Sequence, residues 1–212
     1  MKDDLGLFLS YYNEVRKRLT VKKRAYNRKL KKDSNPVIRV FREDLADLND
    51  GGKMLRGMLV TLGYRLAGGR EEEAADSLAL AFEVFQTAIL VHDDIIDRAG
   101  LRRGKITIHR RYVHRLDVRG TKMISGDSTK EHVADAAALC TGDFGICAAN
   151  LKIAEDYAGH PNLAALISAF DGIVLDTIRG ELLDVVLPYE LQDSSFSEDE
   201  RKKTLEQSVR DI

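Results

Sequence analysis

Apolar residues recur at threes and fours along most of the chain. Leu5, Phe8, Leu9, Tyr12, Val15, Leu19, Tyr26 and Leu30 lie on one stripe, which predicts one or two amphipathic helices over residues 3–31. Asn35-Pro36 reads as a cap followed by a first-turn proline. Ile38, Phe41, Leu45 and Leu48 give that helix its apolar face, and Asp50-Gly51-Gly52 ends it. A third helix is predicted from about Lys53 to the Gly68-Gly69 pair. A longer one spans Glu71 to Asp97, where Leu78, Phe82, Phe85, Ile89 and Ile96 recur. Residues 98–130 show no sustained period and read mostly as loop. Helical spacing returns at Ala134–Tyr157, and again from Pro161 to about Leu187, where Pro188 is expected to stop it. Ser197 and Glu200 form a capping box for a last helix carrying Leu205, Val209 and Ile212. That stripe is still running at Ile212 without a stop signal, so the sequence reads as cut within an element. No alternating segment is long enough to predict a strand. The expected architecture is an all-α, single-domain helical bundle over residues 1–212, the N-terminal portion of a longer domain whose C-terminal part is missing.

Composition narrows the function classes. The chain has 212 residues, 44% hydrophobic and 32% charged, so it can bury a core and is neither disordered nor membrane-embedded. A net charge of −1 makes no case for nucleic-acid binding. The distribution is uneven: residues 1–56 carry 15 Lys+Arg against 8 Asp+Glu, or +7, and the remainder 18 against 26, or −8. Ten of these cations fall between Arg16 and Lys32 with no acid among them. Such a run can touch anionic lipid transiently, or nucleic acid, but its apolar stripe reads better as an ordinary helix with a charged outer face. No uncharged apolar run approaches the ~18–20 residues of a transmembrane segment. Cys140 and Cys147 are seven apart, roughly 10.5 Å of helical rise and too far for a disulfide, so a reduced, cytoplasmic protein is expected.

The sharpest chemistry sits at the end of the long apolar helix, in His92-Asp93-Asp94-Ile95-Ile96-Asp97. At 100° per residue, Asp93 and Asp97 share one face and Asp94 falls within about 100° of Asp93. Carboxylates this close raise one another's pKa unless a cation lies between them, and hard oxygen ligands suit Mg²⁺. A basic stretch follows, from Arg98 through Arg102, Arg103 and Lys105 to Lys122, with Asp117 its only acid. Carboxylates beside guanidinium forks are what a metal-bridged polyphosphate needs. Gly51-Gly52-Lys53-Met54-Leu55-Arg56 adds a second candidate anion site: paired glycines admit an anion to the backbone, and Lys53 and Arg56 are expected on one face of the helix starting there.

Taken together, Gly51-Gly52-Lys53-x-x-Arg56, Asp93-Asp94-x-x-Asp97, Arg102-Arg103-Gly104 and Thr107-Ile108-His109 resemble the polyprenyl synthetase (trans-isoprenyl diphosphate synthase) family from about residue 36 onward. Cys140-Thr141-Gly142-Asp143-Phe144 resembles its Gly-Asp helix, and Gly180-Glu181-Leu182-Leu183-Asp184 its Gly-Gln-x-x-Asp segment. The resemblance implies an isoprenoid-synthase helical fold and a homodimer. It also implies a prenyltransferase that condenses an allylic diphosphate with isopentenyl diphosphate by Mg²⁺-assisted ionisation. Asp93 and Asp97 match metal ligands, with Asp94 supporting them. Lys53, Arg56, Arg103 and Gln86 match the grip on isopentenyl diphosphate, Arg102 the allylic diphosphate contact, and Asp184 a further metal-side carboxylate. Ala88 and Phe85, one and two turns before the aspartates, match the floor that limits chain length. Three departures stand out. Glu181 replaces the usual Gln, residues 113–132 look inserted, and the family's second aspartate-rich motif would lie beyond residue 212. The alternative is a non-catalytic or partner-dependent subunit that keeps diphosphate binding.

Overall fold

The computed structural model describes residues 2–123, 129–192 and 197–210. Eight helices and a minimal hairpin make the fold all-α: α1 Lys2–Leu30, α2 Pro36–Asn49, α3 Leu55–Leu66, α4 Glu72–Ile96, β1 Leu101–Arg102, β2 Lys105–Ile106, α5 Ile108–Val118, α6 Lys130–Asp156, α7 Leu163–Glu190 and α8 Glu198–Arg210. The chain divides into two compact units, Met1–Asp156 and Tyr157–Ile212.

In the first unit α4 is the central element and packs against α2, α3, α5 and α6. It is long and apolar enough to cross a membrane, yet 61% of its most apolar stretch is buried inside the protein, as befits a core helix. Two glycines let α6 approach it closely: a Cβ on Gly145 would lie 2.7 Å from Ala88 Cβ, and one on Gly142 would run into the His92 ring. The second half of α1 contributes a buried stripe of Val15, Leu19, Lys23, Asn27 and Leu30, spaced at threes and fours. Toward its start the same helix leaves Leu5, Phe8 and Leu9 exposed. Arg18 secures α1 to α4 through the buried Asp76, at 2.6 and 2.9 Å. Asn35 caps α2 as its sequence implies, its Oδ1 accepting from the Val37 and Ile38 amides.

The segment expected to be loop holds the hairpin and α5. The helix is easily missed in the sequence because it is only 11 residues long and three of them are arginines. Ile108 and Leu116 are buried, Tyr112 packs against Phe41 with tilted rings whose centroids are 5.0 Å apart, and Arg111 and Arg115 both pair with the buried Asp44 of α2. Of the stretch 113–132 that looked inserted, residues 113–118 end α5, 130–132 begin α6, and 124–128 lie outside the described residues.

In the second unit α7 does not stop at Pro188 but carries it within the helix and continues to Glu190. Ser197 and Glu200 form the expected capping box, with Ser197 N donating to Glu200 Oε2 at 2.8 Å. The apolar stripe at Ile212 lies outside the described residues.

Candidate functional site

The aspartates occupy the last turn of α4. Asp97 is the C-cap, its amide donating to the Asp93 carbonyl at 2.8 Å. The three carboxylates are not equivalent. Asp97 is exposed, Asp93 is half-buried, and Asp94 turns inward with 0% exposure, where Arg102 donates from Nε to its Oδ1 at 2.6 Å. Burial raises both the Asp93 and Asp94 pKa. Arg102 opposes the rise at both, and Asp97 adds to it. Among the described residues no group of three His, Cys, Asp or Glu side chains is arranged to hold a metal. The open three-carboxylate cluster expected from spacing is therefore split, since Asp94 is committed to Arg102. Divalent metal still fits the donor set: Asp93 Oδ1 and Asp94 Oδ2 are buried and lack a hydrogen-bond partner, and such oxygens call for a cation.

Arg102 and Arg103 are consecutive but diverge. Arg103-Gly104 forms the two-residue turn between β1 and β2, with Leu101 opposite Ile106 and Arg102 opposite Lys105. Both turn residues have positive φ, 54° and 76°, as a type I′ hairpin requires. Arginine is an unfavourable residue for that conformation. The turn delivers Arg103 onto the Gly51-Gly52 loop, where a Cβ on Gly52 would come within 2.9 Å of Nη1. Lys105 ties the same hairpin to the C-terminal end of α2, donating to the Asp47 carbonyl at 2.7 Å.

The loop itself departs from expectation. Helix α3 begins at Leu55, and Lys53 lies before it rather than on its first turn; Lys53 and Arg56 are both exposed. The N-cap is Met54, in a left-handed conformation at φ 56°, and makes no side-chain cap. Glu83 of α4 supplies one instead, its Oε1 accepting from the Gly57 amide at 3.0 Å. Part of the helix's positive end is thereby used inside the protein. Gln86 is half-buried on α4, one turn beyond Glu83.

Several residues at this site were not singled out from the sequence. Lys23 is 1% exposed, donates to the Gly51 carbonyl at 2.7 Å and lies 4.0 Å from Glu83 Oε2. Burial pushes its pKa down to about 8, and nearby Arg103 adds to the effect against Glu83 and Asp50. Asn27, Asn49 and Thr87 continue this buried polar chain, with Asn49 donating to Asn27 at 2.8 Å and Thr87 to Asn49 at 3.0 Å. His92 lies 3.1 Å from the Leu139 carbonyl and 3.4 Å from Asp143.

Ala88 and Phe85 are both buried. Ala88 faces Gly145 of α6 rather than open space, so a larger side chain there meets α6 first. Glu181 and Asp184 lie on α7 in the second unit, half-buried and exposed respectively. Cys140 and Cys147 are free and exposed.

A family model described as polyprenyl synthetase matches residues 40–208. The chain belongs to the polyprenyl synthetase family. It is similar to the geranylgeranyl diphosphate synthase of Sulfolobus acidocaldarius, 33% identical over 108 residues, or 51% of this chain and 31% of the relative. It is also similar to the all-trans-polyprenyl-diphosphate synthase of Mus musculus, 29% identical over 167 residues, or 74% and 34%. This polyprenyl synthetase chain thus spans about a third of the length of these curated relatives. Its fold is similar to that of a geranylgeranyl pyrophosphate synthase from Corynebacterium glutamicum solved with isoprenyl diphosphate and magnesium. The TM-score is 0.68 at 23% identity, over 87% of this chain and 52% of that one.

Proposed function

We propose that this chain supplies a metal-binding and diphosphate-binding part of a trans-prenyltransferase. The reaction joins an allylic diphosphate to isopentenyl diphosphate and yields a longer trans-polyprenyl diphosphate. The observation that supports it most is the packing of Arg103 on the Gly51-Gly52 loop while its neighbour Arg102 binds an aspartate of α4. Consecutive arginines thereby serve two anion-directed places.

In this reading Lys53, Arg56, Arg103 and Gln86 hold the diphosphate of isopentenyl diphosphate, and Arg102 faces the allylic diphosphate. Asp93 and Asp97 would hold Mg²⁺, with Asp94 behind them. When bound, Mg²⁺ supplies positive charge against the oxygens of the departing diphosphate. The chain's own guanidinium and ammonium groups meet the same developing charge and need little reorganisation, because the hairpin turn and the Gly51-Gly52 loop already fix their backbone. The allylic carbon–oxygen bond breaks and releases diphosphate, the isopentenyl double bond attacks the allylic cation, and the new carbocation gives up a proton to the released diphosphate. No nucleophilic side chain is required. Glu181 and Asp184 are candidate carboxylates for the metal side, and Ala88 and Phe85 remain candidate determinants of chain length. A cytoplasmic homodimer accords with this assignment.

The commitment of Asp94 to Arg102 favours a second reading, a partner-dependent subunit that binds diphosphate without turnover. Isothermal titration of inorganic pyrophosphate with and without Mg²⁺ separates the two. The prenyltransferase reading expects affinity to rise about tenfold or more with Mg²⁺, and Asp93→Ala to abolish that gain. Equal affinity in both conditions favours the subunit. No binding in either condition overturns both.

A further inference from the structure

We propose that Lys23 is a positioning residue for the loop Gly51–Met54, holding it from beneath so that the Gly52 and Met54 amides face a diphosphate. The inference rests on the reading of that loop as a diphosphate site.

Lysine is a costly choice for a buried helix stripe, where an apolar residue would pack without desolvating a charge. Lys23 follows Val15 and Leu19 on the core side of α1 and is 1% exposed. Its Nζ donates to Gly51 O at 2.7 Å, and about three turns earlier on the same side of α1 Tyr12 donates its hydroxyl to Lys53 O at 2.6 Å. Two side chains of α1 therefore hold alternate carbonyls of the loop. A trans peptide is planar, with C=O and N–H pointing in opposite directions. Drawing the Gly51 and Lys53 carbonyls toward α1 turns the Gly52 and Met54 amides away from it. Among the described residues neither amide has a protein acceptor. Gly52 and Met54 are both left-handed, at φ 99° and 56°, on either side of Lys53. Backbone alternating in this way forms a concave set of N–H groups suited to an anion.

Neighbouring groups complete the arrangement. Glu83 receives the Gly57 amide with one oxygen and lies near Lys23 with the other, so α1, α3 and α4 meet beneath the loop. Arg103 covers Gly52. Lys23 also leaves a cation under the loop without itself reaching the ligand.

Pyrophosphate titration of Lys23→Met, of the double variant Lys23→Met/Glu83→Gln and of Tyr12→Phe tests the role. The double variant guards against misfolding from a lone buried Glu83 carboxylate. The Gly52 amide resonance of ¹⁵N-labelled protein is followed in the same titrations. The wild-type Gly52 amide should shift on binding. In the Lys23 variants affinity should fall about tenfold and the shift should be lost, while thermal unfolding of the double variant stays near wild type. Tyr12→Phe should fall less, because Lys23 still holds the loop. Wild-type affinity with an unchanged Gly52 shift in a folded Lys23 variant would overturn the inference. Absence of pyrophosphate binding in the wild type would instead remove the underlying reading of the loop.

Discussion

Arg102 donates to Asp94 at 2.6 Å across the junction of α4 and the hairpin, and Asp94 has no exposed surface. A buried carboxylate cannot lose its guanidinium partner cheaply. Arg102→Met should destabilise the protein by about 3 kcal/mol, while Asp94→Asn/Arg102→Met should recover much of the loss. Urea unfolding of both variants checks this. Equal destabilisation would mean that Arg102 contributes by packing rather than by charge.

Arg103 is expected to trade stability for binding. It occupies a positive φ that glycine adopts freely, so Arg103→Gly should stabilise the hairpin by about 1 kcal/mol. The same change removes the guanidinium over Gly52, and pyrophosphate affinity should drop at least about tenfold. Chemical denaturation and calorimetry on one preparation read both effects.

Lys23 also gives the protein a pH signature. Its folded pKa, about 8, lies below the ordinary lysine value of 10.5. Between these values the unfolded chain binds the extra proton, so stability attributable to Lys23 rises as pH climbs from 8 to 10.5. Below pH 8 the buried charge carries its full cost, about 3 kcal/mol. Subtracting the stability profile of Lys23→Met isolates this slope from other titrating groups. Parallel profiles across pH 8–10.5 would contradict it.

Helices with apolar stripes were legible in the sequence because burial writes its own period, and α2, α4 and α8 begin or end close to their expected limits. Helix α5 was not. Its stripe of Ile108, Tyr112 and Leu116 is only three positions long and is interleaved with arginines, two of which pair with Asp44 on a distant segment. The motif residues of the site could be listed, but their division of labour could not. Nothing in Asp93-Asp94-x-x-Asp97 says that the middle residue turns inward, since that depends on where the hairpin carries Arg102. Lys23 did leave a trace. It follows Leu19 by four on the buried stripe, where a lysine is out of place. Glu83 likewise breaks the apolar face of α4, three residues before Gln86.

The two close glycines of α6 should respond differently to alanine. Gly145→Ala would press a methyl to 2.7 Å of Ala88 and force two helices apart, at about 1–3 kcal/mol. Gly142→Ala meets the His92 ring, a side chain that can turn aside at the cost of its 3.1 Å contact with the Leu139 carbonyl, and the helix gains up to about 1 kcal/mol from the better helix former. Thermal unfolding should therefore show a large loss for the first and a small change for the second.

The contact between Ala88 and Gly145 also limits how this protein can diversify. The two positions share one allotment of volume, so a methyl added to either helix has to be given up by the other. Glycine has none to give. Ala88 is therefore already as large as its partner permits, and variation toward bulkier residues there would have to await a shift of α6. Divergence among descendants of this chain should therefore reach position 88 late, after the α6 backbone opposite Ala88 has moved.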